Sequence, residues 1–380
     1  METVFWCCLG IIFYSYIIYP IILMLLANFF SKTPTHSNVE VTLPSVAVVI
    51  AAYNEESCIK ERIENLLSLD YPEDKITCFI GSDGSSDKTN EILSGFDDQR
   101  LRIHIFEQNS GKASVLNKLV ALVEQPIIIF SDANTHFESD AIQRLTSHFS
   151  DPNIGAVCGE LNLFNPGDND NQDSIYWRYE QFLKEQEAKL DALLGANGAI
   201  YAIRANLYSA IPANTIVDDF QIVMNVARGG HQIIYEKLAL AHEEIAPNIA
   251  EESKRRIRIG TGNYQAFTRL TWALNPLIGW RSFSYISHKV FRWFTPHLMV
   301  VAFITNLFLA EQPLYMLLLV GHILMYTLAL WGGRTSAKGK KLSSIIALIT
   351  FFVSMNLALL KGFYRFMFKN VQGTWQRTSR

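Results

Sequence analysis

The stretch Ser45–Glu56, SVAVVIAAYNEE, decides the fold, because a run of β-branched and small residues ends abruptly in polar ones. Such a run is typical of a strand that is buried on both faces of a parallel sheet. Apolar residues then recur at helical spacing over Cys58–Leu69, which predicts an amphipathic helix directly after the strand.

The same strand–helix pattern continues along the chain. Further strands are predicted at Ile76–Gly81, Arg102–Phe106 and Pro126–Phe130, and Gly111 and Lys112 open a helix before the last of these. Strands that alternate with helices indicate an α/β fold with a doubly wound sheet. Ligands of such sheets bind outside the carboxyl ends of the strands. We therefore expect a ligand site formed by the polar clusters at those ends, which are Tyr53–Glu56, Ser82–Asp87 and Ser131–Asn134.

Apolar residues are concentrated at the two ends of the 380-residue chain. The run from Val4 to Phe30 carries no charge before Lys32 and exceeds the roughly 20 residues that cross a bilayer. A signal peptide is the alternative, but Glu2 stands where a basic residue is usual and no Ala-x-Ala site follows. Three more apolar runs lie near the other end, at 294–310, 313–331 and 342–360.

These runs predict the domain organisation. We expect a transmembrane anchor over 1–32, an α/β domain over 33–270, an amphipathic interfacial segment over 271–293, a bundle of two to three spans over 294–363 and a basic tail over 364–380. Basic residues stay on the cytoplasmic side of a membrane, so Lys32 predicts a cytoplasmic α/β domain. The tail leaves two alternatives open, because either the run 342–360 does not cross or the tail breaks this rule.

Charge and cysteine content narrow the class of protein. The formal net charge is −3, without the clustered basic surplus of a nucleic-acid-binding protein, so no nucleic-acid partner is expected. The five cysteines include no Cys-x-x-Cys pair, which indicates neither a zinc site nor a disulfide framework. Reduced thiols facing a cytosol are the plain interpretation.

The triplet Asp132-Ala133-Asn134 at the end of a predicted strand offers two oxygen ligands. Mg²⁺ and Mn²⁺ prefer such hard ligands and accept substrate phosphates as the rest of their shell. The cluster Asp83–Asp87, taken alone, also fits a turn with a helix cap. The order of the clusters along the chain, each at a strand end, favours a binding site.

Seven stretches in this order resemble glycosyltransferase family 2, of the GT-A fold, in its membrane-embedded polysaccharide-building branch, which includes cellulose, hyaluronan and poly-N-acetylglucosamine synthases. With the terminal spans they cover almost the whole chain. The stretches are AAYNEE (51–56), SDGSSDKT (82–89), GKASVLNK (111–118), SDANTHF (131–137), GANGAIYAIR (195–204), VDDF (217–220) and RRIRIGTGNYQ (255–265).

The resemblance implies a site for a nucleotide-sugar donor, expected to be a UDP-sugar. The implied donor contacts are Tyr53, Asn54, Glu55, Asp83, Lys112 and Arg258. Asp132 and Asn134 take the position of the family's Asp-x-Asp metal motif and would bind Mg²⁺ or Mn²⁺, although the second Asp is Asn in this chain. A solvated lysine in the first turn of a helix remains the other interpretation of Lys112.

The pair Asp218-Asp219 matches the family's acidic pair, and its second member is implied to be the general base. An acceptor hydroxyl must lose its proton as it attacks the anomeric carbon, and a carboxylate within hydrogen-bond reach can take it. One such displacement inverts the anomeric centre. Both residues also suit the N-terminus of a helix, where they favour the dipole, and the two interpretations are compatible.

The remaining matches concern the acceptor. The implied acceptor contacts are Gly195, Asn197, Gly198, Arg255 and Gln265, although the small residues also fit a tight turn and the arginine a solvated helix face. Arg255 and Ile259 depart from the family's processive synthases, which carry Gln and Trp there. Ile259 lacks the aromatic face on which a sugar ring stacks.

We therefore expect an inverting, metal-dependent transferase that moves a sugar to a lipid-linked or growing glycan in exopolysaccharide or capsule synthesis. It would act in the bacterial inner membrane, with membrane lipid and other polysaccharide-assembly proteins as partners. One alternative is a processive synthase that also translocates its polymer. Another is an inactive scaffold, against which the presence of Asp132 and Asp219 argues.

Overall fold

The computed structural model describes residues 1–31, 43–164, 172–244, 249–340, 342–369 and 373. The chain divides into two compact units. We call them the sheet unit, made of 30–169, 184–247 and 371–380, and the helical unit, made of 1–29, 170–183 and 248–370.

The described residues form eight strands and eleven helices, besides short 3-10 turns. The strands are β1 Val46–Ala52, β2 Ile76–Asp83, β3 Leu101–Phe106, β4 Ile127–Asp132, β5 His136–Phe137, β6 Ile154–Phe164, β7 Tyr201–Arg204 and β8 Gln232–Glu244. The helices are α1 Glu2–Phe30, α2 Ile59–Leu67, α3 Thr89–Ser94, α4 Lys112–Val120, α5 Ala141–Thr146, α6 Gln172–Lys189, α7 Asp218–Arg228, α8 Ile249–Arg269, α9 Trp280–Leu309, α10 Pro313–Ser336 and α11 Ser344–Phe368.

The eight strands form one mixed sheet in the order β3-β2-β1-β4-β7-β6-β8-β5. Strands β1 to β4 are parallel and alternate with helices, which confirms the α/β pattern predicted from the sequence. The other half of the sheet is mixed: β7 runs antiparallel to β4 and β6, and β6 runs parallel to β8. The sequence analysis did not predict strands β5, β6, β7 and β8.

Strand β1 lies inside the sheet, and all seven of its residues are buried. Burial on both faces explains why its sequence is continuously apolar, since neither face meets water. Helix α4 packs against β1 and β2. A Cβ atom at Gly81 would lie 2.6 Å from Cγ1 of Val115, so this contact requires glycine.

The register of the parallel strands brings their carboxyl ends to one edge. Ala51 of β1 lies opposite Asp132 of β4, and Ala52 lies opposite Ser82 of β2. The polar residues that follow the three strands therefore start within one residue of the same level. This edge is where an open α/β sheet binds its ligands.

The helical unit contains four helices that are long and apolar enough to cross a membrane. They are α1, α9, α10 and α11, with 29, 30, 24 and 25 residues. A span needs about 20 residues, so each is sufficient. Helix α9 begins at Trp280, so the latter part of the predicted interfacial segment 271–293 is continuous with this helix. Many large apolar side chains of these helices are exposed, such as Phe308, Leu317 and Ile345.

A buried ion cluster stabilises the helical unit. Glu180 of α6 accepts hydrogen bonds from Arg292 at 2.5 Å and His288 at 3.2 Å, and Lys289 lies 3.7 Å away. Burial alone would raise the pKa of Glu180, but the charges of His288, Arg292 and Lys289 hold it well below its usual value. Arg292 also donates to the hydroxyl of Tyr179 at 2.7 Å. One carboxylate thus pairs with three basic side chains of α9.

The exchange Glu180→Ala should destabilise the protein by about 3–5 kcal/mol, because it leaves the Arg292 guanidinium buried without its carboxylate. Thermal or denaturant unfolding of the full-length protein in detergent measures the effect. Glu185→Ala is the matched control on the same helix: the Glu185 side chain is 38% exposed, and its pairs with Lys189 and Lys237 should contribute about 0.2–1 kcal/mol. Equal losses in both variants would contradict the importance of the buried cluster.

Candidate active site

Lys112 lies at the centre of a cluster of charges at the carboxyl edge of the sheet. Its ammonium Nζ lies 2.8 Å from Oδ1 of Asp132 and 3.2 Å from Oδ2 of Asp218. Only 19% of its side chain is exposed, so Lys112 is not the solvated lysine that the sequence left open. Burial alone would lower the pKa of Lys112, but the carboxylates of Asp132 and Asp218 outweigh it and raise the pKa. The ammonium therefore stays charged.

Asp83 positions the segment from which Lys112 extends. Its carboxylate is fully buried and accepts hydrogen bonds from the backbone N–H groups of Ser110 and Gly111, both at 2.8 Å. Gly111 precedes α4 with a φ of 90°, a left-handed value that favours glycine. A side chain there would also collide with the backbone of Gly373. The structure thus gives Asp83 a positioning role, and the donor contact implied for it stays a prediction.

The loops after β1 and β2 hold each other. The backbone N–H of Asn54 donates to Oγ of Ser85 at 3.0 Å, and the N–H of Ser86 donates to Oδ1 of Asn54 at 2.7 Å. The N–H of Glu55 donates to Oγ1 of Thr89 at 2.8 Å. These hydrogen bonds fix the arrangement of the two loops at the carboxyl edge of the sheet. The donor contacts implied for Tyr53, Asn54 and Glu55 stay predictions.

Asp218 and Asp219 form the first turn of α7, so the helix-terminus interpretation also holds. Gly195, with a φ of 75°, leaves room for Phe220: a Cβ atom there would lie 2.5 Å from the Phe220 ring. A Cβ atom at Gly198 would lie 3.3 Å from Oδ2 of Asp219. The glycine at position 198 therefore leaves space beside the Asp219 carboxylate.

Asn197 is held inside the sheet unit. Its side-chain amide donates to the carbonyl of Gly159 at 2.7 Å and accepts a hydrogen bond from Lys184. Its backbone N–H points at Sγ of Cys158, 3.2 Å away. Nothing in the sequence near Lys184 or Cys158 indicates this link. The acceptor contacts implied for Gly195, Asn197 and Gly198 stay predictions.

Arg62 is a site-supporting residue that the sequence analysis missed. It is completely buried, and it donates to Oγ of Ser131 at 2.8 Å and to Oδ1 of Asn65 at 2.6 Å. Ser131 in turn donates to the carbonyl of Ala199 at 2.7 Å. Arg62 thereby joins α2, the end of β4 and the loop beside Asp219.

A sequence signal for Arg62 did exist. It follows Ile59 by three residues and precedes Leu66 by four, which places it on the buried face of α2. Its guanidinium lies 4.3 Å from the centre of the Phe137 ring, and burial lowers its pKa to about 9. A charge on an apolar helix face has to find polar partners inside the protein. These partners are the residues that shape the Asp132 loop.

The oxygen ligands at this edge fit a hard divalent cation. Asp132 and Asp218 are joined through Lys112, and Asn134 lies two residues beyond Asp132 with its amide nitrogen buried and without a hydrogen-bond partner among the described residues. Within the described ranges no three His, Cys, Asp or Glu side chains could hold a metal ion by themselves. Such a set suits Mg²⁺ or Mn²⁺ that takes its remaining ligands from substrate phosphates.

The Asp219 carboxylate is partly buried and lies close to a second negative charge, that of Asp218. Removal from water and the neighbouring Asp218 raise the pKa of Asp219 to about 6, against the lowering effect of Lys112. A carboxylate with a raised pKa is a stronger base than an ordinary one and is still ionised at pH 7. This matches what a general base for a hydroxyl needs.

The other three predicted site residues, Arg255, Arg258 and Gln265, belong to α8 of the helical unit. Arg255 donates to Oε2 of Glu252 at 3.0 Å, Arg258 is exposed and Gln265 is buried. Their implied contacts with donor and acceptor stay predictions.

Comparison with solved structures gives the class of fold. The chain superimposes with a TM-score of 0.73 on a mannosyltransferase from Pyrobaculum calidifontis in complex with GDP-Man and Mn²⁺, over 97% of this chain and 99% of the other, at 18% identity. The protein therefore has a GT-A-like α/β core with an N-terminal helix and C-terminal helices that could span a membrane.

Comparison of sequences gives the family. Residues 47–208 match the family model for glycosyl transferase family 2, so the chain contains a domain of that family. Poly-beta-1,6-N-acetyl-D-glucosamine synthases are similar: 25% identity over 250 residues in Staphylococcus epidermidis, 62% of this chain and 58% of the relative, and 24% over 240 residues in Staphylococcus aureus, 60% and 56%. The chain thus matches less than two thirds of the length of these relatives.

The exchange Asp219→Asn should stabilise the metal-free protein at pH 7.5 and have a smaller effect at pH 4. The folded pKa of about 6 lies above the ordinary aspartate pKa of 3.8, so the folded state binds more protons between these values. Wild-type stability therefore falls as pH rises through this window, and the amide removes the loss. Unfolding temperatures in detergent at both pH values measure it, with the exposed Asp74→Asn as control. A shift that is the same at both pH values would show that Asp219 is an ordinary carboxylate.

Proposed function

We propose that this family 2 glycosyltransferase is an inverting, metal-dependent enzyme that moves a sugar from a nucleoside-diphosphate donor to a lipid-linked or growing glycan. The observation that carries the proposal is the Lys112 ammonium between Asp132 and Asp218, with Asp219 adjacent, at the carboxyl edge of the sheet. This arrangement combines a positive group for a leaving diphosphate with a carboxylate for an attacking hydroxyl.

Different residues of the chain have different roles in the reaction. Asp219 takes the proton of the acceptor hydroxyl as its oxygen attacks the anomeric carbon, and the small residue Gly198 beside it leaves room for the sugar. Lys112 donates to the departing diphosphate and stabilises the charge that develops there. Asp132 and Asn134 would hold the divalent cation, which when bound supplies further positive charge to the leaving group. A single displacement from one face inverts the anomeric centre.

The proposed setting is a membrane in which a glycan is assembled. Four helices of the described chain could span a bilayer, and the charge pattern of the sequence supports a sheet unit on the cytoplasmic side of a bacterial inner membrane. The relatives named for poly-beta-1,6-N-acetyl-D-glucosamine support a role in exopolysaccharide or capsule synthesis. Nucleotide derivatives of N-acetylglucosamine and of mannose are the first donors to test, with a UDP-sugar as the expected one.

A processive synthase is the second candidate, and the names of the relatives favour it. Ile259 on α8 weighs against it, because an isoleucine offers a sugar ring no aromatic face to hold a growing chain between additions. The length of the product made by the wild-type protein separates the two candidates.

Replacing the general base should slow sugar transfer without preventing the binding of the donor. Asp219→Asn keeps the size of the side chain but cannot accept the proton, so turnover should fall by roughly 10²–10⁴-fold. Transfer of radiolabelled sugar by the purified protein in lipid measures turnover, and nucleotide binding by calorimetry should be retained. Wild-type turnover in this variant would remove Asp219 from the mechanism.

Removing the cation should also stop transfer. We expect activity to vanish in a chelator and to return with Mn²⁺ or Mg²⁺, because the Lys112 ammonium alone does not offset the charge of the leaving diphosphate. Asp132→Ala should stay inactive at any concentration of cation, whereas Asp140→Ala, an exchange at the residue before α5 and outside the cluster, should behave as wild type. Full activity in chelator would exclude the metal from the reaction.

A further inference from the structure

The Lys112 ammonium pairs with the Asp132 carboxylate, which the divalent cation also needs as a ligand. We propose that Lys112 is a replaceable counter-ion: it pairs with Asp132 until a nucleoside diphosphate draws it away, so that cation and nucleotide bind together and each binds weakly alone. The inference rests on the function proposed above and adds the way in which its two ligands depend on each other.

The first support is the geometry of the ammonium. Its nitrogen lies 2.8 Å from Oδ1 of Asp132 and 3.2 Å from Oδ2 of Asp218, and the side chain is mostly buried. A cation bound to the same carboxylate of Asp132 would lie beside a positive charge that water screens poorly, and the two would repel. Lys112 therefore has to leave Asp132 for the cation to bind fully.

The second support is the ligand set. The described residues contain no three His, Cys, Asp or Glu side chains that could hold a metal ion, and Asn134 stands where a second carboxylate would have added charge. Mg²⁺ and Mn²⁺ at such a site depend on phosphate oxygens for the rest of their shell. Cation alone thus meets too few ligands, of which Asp132 is already paired.

The third support is the balance of charge. Asp132, Asp218 and Asp219 are, among the described residues, three carboxylates near the Lys112 ammonium, which attracts all of them in the free protein. A diphosphate offers the ammonium new acceptors, and the arriving cation takes over its place at Asp132. The cluster never has to exist without a positive partner, which is why the two ligands favour each other.

Linkage makes this coupling symmetric. If the nucleotide raises the affinity for the cation by some factor, the cation raises the affinity for the nucleotide by the same factor, commonly about 5- to 150-fold. Removal of the ammonium should have opposite effects on the two ligands: the cation no longer competes with Lys112 for Asp132, whereas the nucleotide loses a donor.

The experiment measures binding and not turnover. The dissociation constant of Mn²⁺ is determined by electron paramagnetic resonance for the full-length protein in detergent, alone and with saturating UDP or GDP. In the wild type we expect the nucleotide to tighten Mn²⁺ binding by about tenfold or more. Lys112→Met should bind Mn²⁺ alone about tenfold more tightly than the wild type does and bind the nucleotide more weakly.

Two controls separate charge from position. Lys112→Arg keeps a positive group beside Asp132 and should keep the weak binding of Mn²⁺ alone. Lys118→Met removes the same charge from an exposed position on the same helix, where the ammonium lies 4.5 Å from the centre of the Phe106 ring, and should leave Mn²⁺ binding unchanged.

A gain of Mn²⁺ affinity in Lys112→Met supports the counter-ion and cannot come from damage to the fold. Unchanged or weaker Mn²⁺ binding in that variant would overturn it. If the variant does not fold, the wild type decides alone, because independent binding of Mn²⁺ and nucleotide there contradicts the proposal. Failure of the wild type to bind either nucleotide with Mn²⁺ would instead remove the proposed function, and the inference with it.

Discussion

The contact between one ammonium and two acidic side chains, Lys112 with Asp132 and Asp218, is the interaction on which the rest of the site depends. It joins the start of α4 and the end of β4 with the start of α7, which comes much later in the chain. Carboxylates brought together in a poorly solvated place repel one another unless a cation lies among them. The fold therefore has to place Lys112 next to these aspartates.

The sheet fixes the positions of the elements that carry these side chains. Its central strand β1 is buried along its whole length, so the level at which its neighbours end is fixed by packing and not by the loops. Asp83 then holds the backbone of Ser110 and Gly111, and the buried Arg62 holds Ser131. Functional side chains extend from rigid elements, and a second layer of hydrogen bonds holds those elements in place.

The parallel half of the fold could be predicted from sequence because its strands are continuous apolar runs that end in polar clusters. Strand β2 continues to Asp83, two residues further than predicted, because that carboxylate turns inward to backbone donors. Strands β6 and β8 were not predicted, since their pairing contains register shifts and their burial is irregular. The pairing of Lys112 with Asp218 was also out of reach, because no local pattern reports a contact across 106 positions, 218 minus 112.

That long separation has a consequence for the newly made chain. Lys112 and Asp132 are only 20 positions apart and lie on neighbouring elements of the parallel half-sheet, whereas Asp218 and Asp219 leave the ribosome much later. Synthesis runs from the N-terminus and early segments can fold first. Lys112 and Asp132 are therefore both part of the newly made chain before the second and third acids are added to it. The order of the residues along the chain means that the cation is made before the last two carboxylates with which it is grouped in the folded protein.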